Sequence, residues 1–313
     1  MSLAPTETAM AARPSRSIDS SWQGLPFLAP AAVLTTVLGV LPLAALIGFS
    51  LMDWSLTRPG SGSFVGLRNY LSILADSAFW HASRVTVQIA FETIVVQLVA
   101  GVAVALLFNR RLPGMSALRA LVMAPMMLAP LFAGLIWRLV LSSDFGVLPY
   151  ALTLMGLETP PSFLSDPDWA VQSIVLVTVW QTTPFVVLFV TAALQVIPPE
   201  LYEAARLDGA GAFRIFFSIT LPLLRPVLAT ISIFSIVDSV KIFDPIYALT
   251  TGGPGDATET LSYLIYLQTS QFFDIGYGSA LAVVTLLIVA VPVILIVRRD
   301  ARAGRPKTAE AET

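Results

Sequence analysis

Long apolar runs separated by short polar stretches dominate this chain. Phe27–Leu51, Val85–Phe108, Leu118–Leu141, Ala170–Val196 and Ser279–Val297 each approach or exceed the roughly 20 residues that carry a helix across about 30 Å of hydrocarbon. A sixth run, Val227–Tyr247, is of similar length but carries Asp238, Lys241 and Asp244. The pattern predicts six membrane-spanning helices. The first run is too long for a cleaved signal peptide, and its end, Gly48 to Trp54, lacks a small-residue cleavage pattern, so it is expected to stay as an anchor. Between runs, Gly146–Gly156 predicts a short amphipathic surface helix, ended by Gly156 and the Pro160-Pro161 pair.

Composition supports this class. Hydrophobic residues make up 56% of the 313, charged residues only 12%, and mean hydropathy is +0.80, which excludes a soluble globular domain. Net charge is only −2, but the basic residues are unevenly placed. Thirteen of the eighteen fall on the side that also holds both termini: Arg13 and Arg16, Arg110, Arg111 and Arg119, Arg206, Arg214 and Arg225, and Arg298, Arg299, Arg302, Arg305 and Lys307. Arg58, Arg68 and Arg84 fall on the other side. This bias places both termini in the cytoplasm and requires an even number of spans. The expected fold class is therefore an all-α membrane protein with six transmembrane helices, N-in and C-in. The domain reading is a disordered cytoplasmic tail over 1–25, a transmembrane domain over 26–299 and a second tail over 300–313.

The loop after the fourth run, 197–224, is the only sizeable cytoplasmic one. Pro198 and Pro199 end the span and start a new helix, Gly209 to Gly211 interrupt it, and a second piece over Ala212–Ile219 leads to Leu221-Pro222, where the chain is expected to turn back to the membrane. Two short helices joined by a glycine turn make a protruding knob. Ala204 and Ala205 permit close approach of another backbone, Gly209 permits the turn, and Glu203 offers a carboxylate to a partner cation. The spacing of Glu203, Ala204, Ala205, Gly209, Ile219, Leu221 and Pro222 resembles the ATPase-coupling loop of ABC-importer permeases. The resemblance extends along the chain. Phe64-Val65-Gly66-Leu67-Arg68-Asn69-Tyr70 resembles the F-x-G-L-x-N-Y segment of carbohydrate-importer permeases, and Gln181 to Phe185, Leu249 to Pro254 and Gly276 to Ala282 are similar to segments of the same family, in its short six-span, maltose-permease-F-like form. The resemblance implies a type I ABC importer transmembrane domain in a bacterial inner membrane. It further implies a second permease subunit, two ATPase subunits that use ATP and Mg, an external solute-binding protein, and a sugar, oligosaccharide or polyol as solute. A permease for another solute, such as glycerol phosphate, a polyamine or an amino acid, shares the coupling loop and is the alternative.

Other chemistries are poorly provided for. There is no cysteine for a disulfide, thiolate metal site or thiol nucleophile, and the sole histidine, His81, is expected in an external loop in a surface or packing role. No phosphate-binding G-x-x-x-x-G-K-[ST] motif occurs, so the chain is not its own ATPase; no cofactor, metal or nucleic acid is expected on it. An intramembrane enzyme would need a His-Asp, Ser-Lys or His-Glu cluster at one depth, and a channel or secondary transporter has no use for the coupling-loop spacing. Intramembrane polar residues instead suggest a solute path. Asp238 and Lys241 lie roughly 17 and 21 Å along span five, and Gln181 and Thr182 roughly 17 to 18 Å along span four, so the four meet near mid-membrane. Asp238, Lys241 and Asp244, three apart, are expected to pair along one helix side, and Pro184 to free the Trp180 carbonyl. Glu92 in span two completes the candidate path set.

Overall fold

The structure is a computed structural model that describes residues 25–109 and 113–303. Of the expected tails, 1–24 and 304–313 lie outside the described residues, as does the Arg110–Arg111 pair. The chain divides into two units at Ala45. The first holds α1 (Leu25–Thr35), a π-turn (Thr36–Val40) and the start of α2 (Leu41–Ser50), giving a membrane-length apolar helix over Leu28–Ser50.

In the second unit, a small antiparallel ribbon of β1 (Met52–Asp53) and β2 (Ser63–Phe64) leads to α3 (Arg68–Ala75) and the long α4 (Ser77–Phe108). The Asp76 carboxylate accepts from the Ala78 N–H and starts α4 eight residues ahead of the expected Val85. His81 consequently sits on the helix rather than in a loop, its Nε2 2.9 Å from the Asp256 carbonyl oxygen. A segment that reads as one straight run, Leu118–Leu141, is broken. It consists of α5 (Met115–Met123), a 3₁₀ turn (Ala124–Met127) and α6 (Pro130–Leu141), bent by 105°. Pro130 forces the preceding Ala129 out of helical conformation, and Leu128 and Ala129 are both extended.

The predicted surface helix forms as α7 (Val147–Leu154), with Gly156 beyond it at φ 98°. α8 (Pro167–Val196) is capped by the Asp166 carboxylate and runs as one helix through the buried Pro184. Beyond α9 (Pro199–Leu207) and α10 (Ala212–Ile215), a π-turn (Phe216–Thr220) continues directly into α11 (Leu221–Val240). The chain does not turn at Leu221-Pro222. Pro222 has no N–H for the Ser218 carbonyl, and the helix absorbs the loss by widening one turn, the Leu221 N–H bonding back to the Phe216 carbonyl. Span five instead ends early, at Val240, and a separate short helix, α12 (Asp244–Leu249), follows. α13 (Leu261–Tyr266), a π-turn (Leu267–Gln271) and α14 (Ile275–Ala303) complete the order. Among the described residues, five helices are long and apolar enough to span a membrane, or six with the bent α5–α6 pair.

Three apolar clusters hold the second unit. One joins α4, α8 and α12 through Ile89, Ile174 and Ile246; one joins α4, α8 and α11 through Phe108, Val186 and Ile231; one joins α3, α13 and α14 through Ile73, Leu264 and Leu281. α4 and α8 cross closely at Gly101, where an added Cβ would lie 2.5 Å from Cβ and Cγ1 of Val186. Only a residue without a side chain fits there.

Candidate functional site

Both breaks face one cavity of about 470 Å³, bounded by α4, the 3₁₀ turn and start of α6, α8, the end of α11 and the start of α12. Gln181, Thr182, Asp238, Lys241 and Asp244 all line it. The amide of Gln181 donates to the Leu128 carbonyl (2.9 Å), one of the backbone groups set free by the bend between α5 and α6. The Thr182 hydroxyl donates to Gln97 Oε1 at 2.6 Å and lies 2.8 Å from the Thr178 carbonyl, fastening α8 to α4 on the cavity wall.

Asp238 and Lys241 share the cavity without pairing. Among the described residues, the ion pairs within 4.0 Å are Arg58 with Asp53 and Asp274, and His81 with Asp256. The expected pairing assumed a continuous helix, whereas Lys241 is already the C-terminal cap of α11 and its N–H bonds the Asp238 carbonyl. Pro245 then denies the Lys241 carbonyl an i+4 partner, so no helical spacing governs Lys241 and Asp244. The cavity wall thus offers two carboxylates, one ammonium, amides and hydroxyls against the rings of Phe185, Phe234 and Phe243.

Glu92 is not part of this wall. Its carboxylate accepts from Gln88 (3.0 Å) and from Gln172 (2.8 Å), tying α4 to α8 on another side. In its place α4 contributes Thr93 and Gln97, one turn apart, and α11 contributes Ser235 and Ser239. The Thr93 hydroxyl is buried with no hydrogen-bond partner among the described residues. The four-residue spacing of these polar groups inside apolar runs was the available signal.

Phe243 also belongs to a cluster with Tyr247, Tyr263 and Tyr266, with ring centroids 5.1 to 6.2 Å apart, at the end where α12 and α13 meet. Trp137 and Trp180 pack edge to face at 5.5 Å.

At the other end of the long helices stands the knob. α9 ends in a Schellman arrangement: the Ala210 N–H reaches the Ala205 carbonyl at 2.9 Å, the Gly209 N–H reaches Arg206 at 3.0 Å, and Gly209 takes φ 77°. The separation of Ala205 from Gly209 is therefore set by helix termination. Glu203 and Ala204 are exposed, Ala205 half-buried, and neither α9 nor α10 buries any residue. Leu207 is 89% and Phe213 83% exposed. Ile219, Leu221 and Pro222 are half-buried at the base, in the widened turn, where Tyr202 and Thr220 hydroxyls lie 3.4 Å apart.

Residues 97–304 match the family described as binding-protein-dependent transport system inner membrane component. The chain is 38% identical over 266 residues to the trehalose/maltose transport system permease protein MalF of Thermococcus litoralis, covering 85% of this chain and 89% of that one. It is 40% identical over 257 residues to the sulfoquinovosyl glycerol transport system permease protein SmoG of Agrobacterium fabrum (82% and 83% covered) and 31% identical over 293 residues to the trehalose transport system permease protein SugA of Mycobacterium tuberculosis (94% and 93%). Its fold is similar to a chain in the crystal structure of a bacterial alginate ABC transporter bound to its pentasaccharide-loaded periplasmic protein, with a TM-score of 0.79 at 20% identity over 91% of this chain and 96% of that one.

Proposed function

The chain belongs to the family of binding-protein-dependent transport system inner membrane components, and we propose that it is the permease subunit of an ATP-driven importer for a sugar, oligosaccharide or polyol. The observation that carries the mechanistic part is the division of labour along the bundle, with a cavity inside that gathers polar and charged groups and, at one end, a knob that buries none of its helical residues and exposes Leu207 and Phe213. The solute passes through the cavity by alternating access, held by Gln181, Thr182, Asp238, Lys241 and Asp244. Two carboxylates beside one ammonium suit a neutral polyhydroxyl solute better than a phosphorylated one, and the neighbouring phenyl rings suit the apolar faces of a sugar ring. Similarity to permease proteins of trehalose/maltose, trehalose and sulfoquinovosyl glycerol transport systems supports the same class.

The chain supplies no hydrolytic chemistry; ATP and Mg act on two partner ATPase subunits, and an external binding protein delivers solute to this subunit and a second permease. The knob is cytoplasmic, and Leu207, Phe213 and the Glu203 carboxylate fill and pair within a cleft of an ATPase subunit. Glu203→Lys and Gly209→Glu test this. Neither buries a charge in lipid, since both positions lie outside the candidate spans, between Val196 and Ala212. Glu203→Lys replaces an attraction with a repulsion, and Gly209→Glu forces a side chain into left-handed φ. Each variant complex is expected to reach the membrane yet lose ATP hydrolysis stimulated by solute-loaded binding protein. Wild-type uptake and stimulation in both variants would refute the coupling assignment.

A further inference from the structure

α3 presents three distinct faces. The first is pinned to the chain: the Asn69 amide donates to the carbonyls of Ser50 and Met52, both at 2.9 Å, the Tyr70 and Ser50 hydroxyls lie 2.6 Å apart, and Ile73 is fully buried. The second is polar and exposed, formed by Arg68 and Ser72. The third is an apolar stripe at positions i, i+4 and i+7, in which Leu67 is 67%, Leu71 68% and Leu74 57% exposed. The F-V-G-L-R-N-Y segment thus divides into residues whose side chains tie the chain together, Asn69 and Tyr70, and residues whose side chains stay exposed, Phe64 and Leu67.

The level of this stripe is fixed at both ends. Near its start α3 is tied to Ser50, the last residue of α2; past its end, Asp76 accepts from the Tyr277 hydroxyl at 2.7 Å, near the start of α14. The Gly276 N–H bonds the Trp54 carbonyl at 2.9 Å, so the α2 and α14 ends lie side by side. A helix of eight residues, about 12 Å long, therefore crosses between two span ends at one level. Its stripe also continues into the bundle surface. The indole N–H of Trp80 donates to the Leu74 carbonyl at 3.0 Å, and Trp80, Val87 and Phe91 form one exposed face of the spanning helix α4.

We infer that α3 is an in-plane anchor whose Leu67, Leu71 and Leu74 face lies in the acyl–headgroup boundary of the leaflet opposite the knob, with Arg68 and Ser72 turned to headgroups and water and Trp80 at the interfacial belt. A helix with one apolar, one polar and one protein-bound face is what that boundary selects. The stripe holds no hydrogen-bonding side chain, and a protein partner that comes and goes would leave it in water between encounters.

The test uses the natural absence of cysteine. Leu71→Cys, Leu74→Cys and Ser72→Cys, each carrying a bimane label, are placed in the assembled transporter with cysteine-free partner subunits in phosphatidylcholine nanodiscs. Quenching by a lipid nitroxide near the headgroup is compared with quenching by aqueous iodide. The lipid-to-iodide ratio is expected to be severalfold higher at 71 and 74 than at 72, and the two leucine positions report independently. Equal iodide quenching at 71, 72 and 74 would overturn the inference. So would protection of 71 and 74 from iodide that develops only on adding binding protein, which would assign the stripe to protein docking.

Discussion

Gly101 and Val186 form a close contact between α4 and α8, and exchanging their bulk is a quantitative test of how that crossing shapes the cavity. Carbon atoms rest at roughly 3.5 to 4.0 Å, so a Cβ at residue 101 only 2.5 Å from two Val186 carbons is about 1 Å too close. Gly101→Val must push the helices apart, and overpacking of this kind costs about 1–3 kcal/mol. Val186→Gly alone removes three buried carbons from a fully buried side chain, about 2 kcal/mol at roughly 0.8 per methylene, with about 1 more for glycine in a helix. The double exchange moves the same volume to the facing helix. It is expected to be more stable than the sum of the singles by about 2 kcal/mol, within the range for touching residues. Thermal unfolding of the detergent-purified complex by fluorescence-detected gel filtration measures the cycle. The Gln97–Thr182 bond lies one turn away on the same two helices, so Gly101→Val should also depress uptake, and the exchange should restore it. Strictly additive singles, or an uptake defect the exchange leaves untouched, would refute the close-packing account.

Gln181→Leu strands the Leu128 carbonyl at the α5–α6 bend and should cost about 1–3 kcal/mol, nearer 1 because the cavity admits water. Gln181→Glu, which has no N–H to donate, should be no better, and unfolding midpoints of both report it. Burial raises the Glu259 pKa above its ordinary value of about 4.3, helped by Asp256 and Asp76 and opposed by His81. The folded state therefore favours the protonated acid: stability is fully present below the ordinary value and falls as pH rises through the raised one. Glu259→Gln should flatten that decline in a pH series of unfolding midpoints, and an unchanged slope would contradict the assignment. Cysteines at Ser116 and Ser165, both exposed, should label from opposite sides of the membrane, the first from the cytoplasm; labelling of both from one side would exclude the expected topology.

Hydropathy located the spans well because burying apolar length in lipid depends only on composition over about 20 residues. It was blind to where a span bends. Leu118–Leu141 is apolar apart from Arg119 and Arg138, yet Pro125 and Pro130 divide it, and the break matters because it lends the cavity Met126, Leu128 and Pro130. The start of α4 was hidden for the opposite reason. Its first turns, from Ser77, are polar enough to read as loop, and only the Asp76 cap and the packing of Phe79 and Ala82 against α13 and α14 show them to be helix.

Two of the prolines around span five show why the site was harder to read than the fold. Pro222 was expected to turn the chain, and the run Val227–Tyr247 to form one span; the structure instead continues the helix through Pro222 and breaks the run ahead of Pro245. At Pro222 the preceding residues are free to widen by one hydrogen bond, and the helix continues. By Pro245 the helix has already ended at Lys241, and the buried Ile242 and the Phe243 ring are held against α8 and α13. Helical spacing within span five therefore fails where the charges begin. Asp238, Lys241 and Asp244 converge because the chain breaks around a cavity, and their gathering there with Gln181 and Thr182 is a property of the packing of α8 against α11 and α12. Glu92 shows the same limit: its neighbour Thr93 lines the cavity while its own carboxylate accepts from Gln88 and Gln172, because which side of α4 faces the cavity follows from how α4 packs on α8 and not from position along the run.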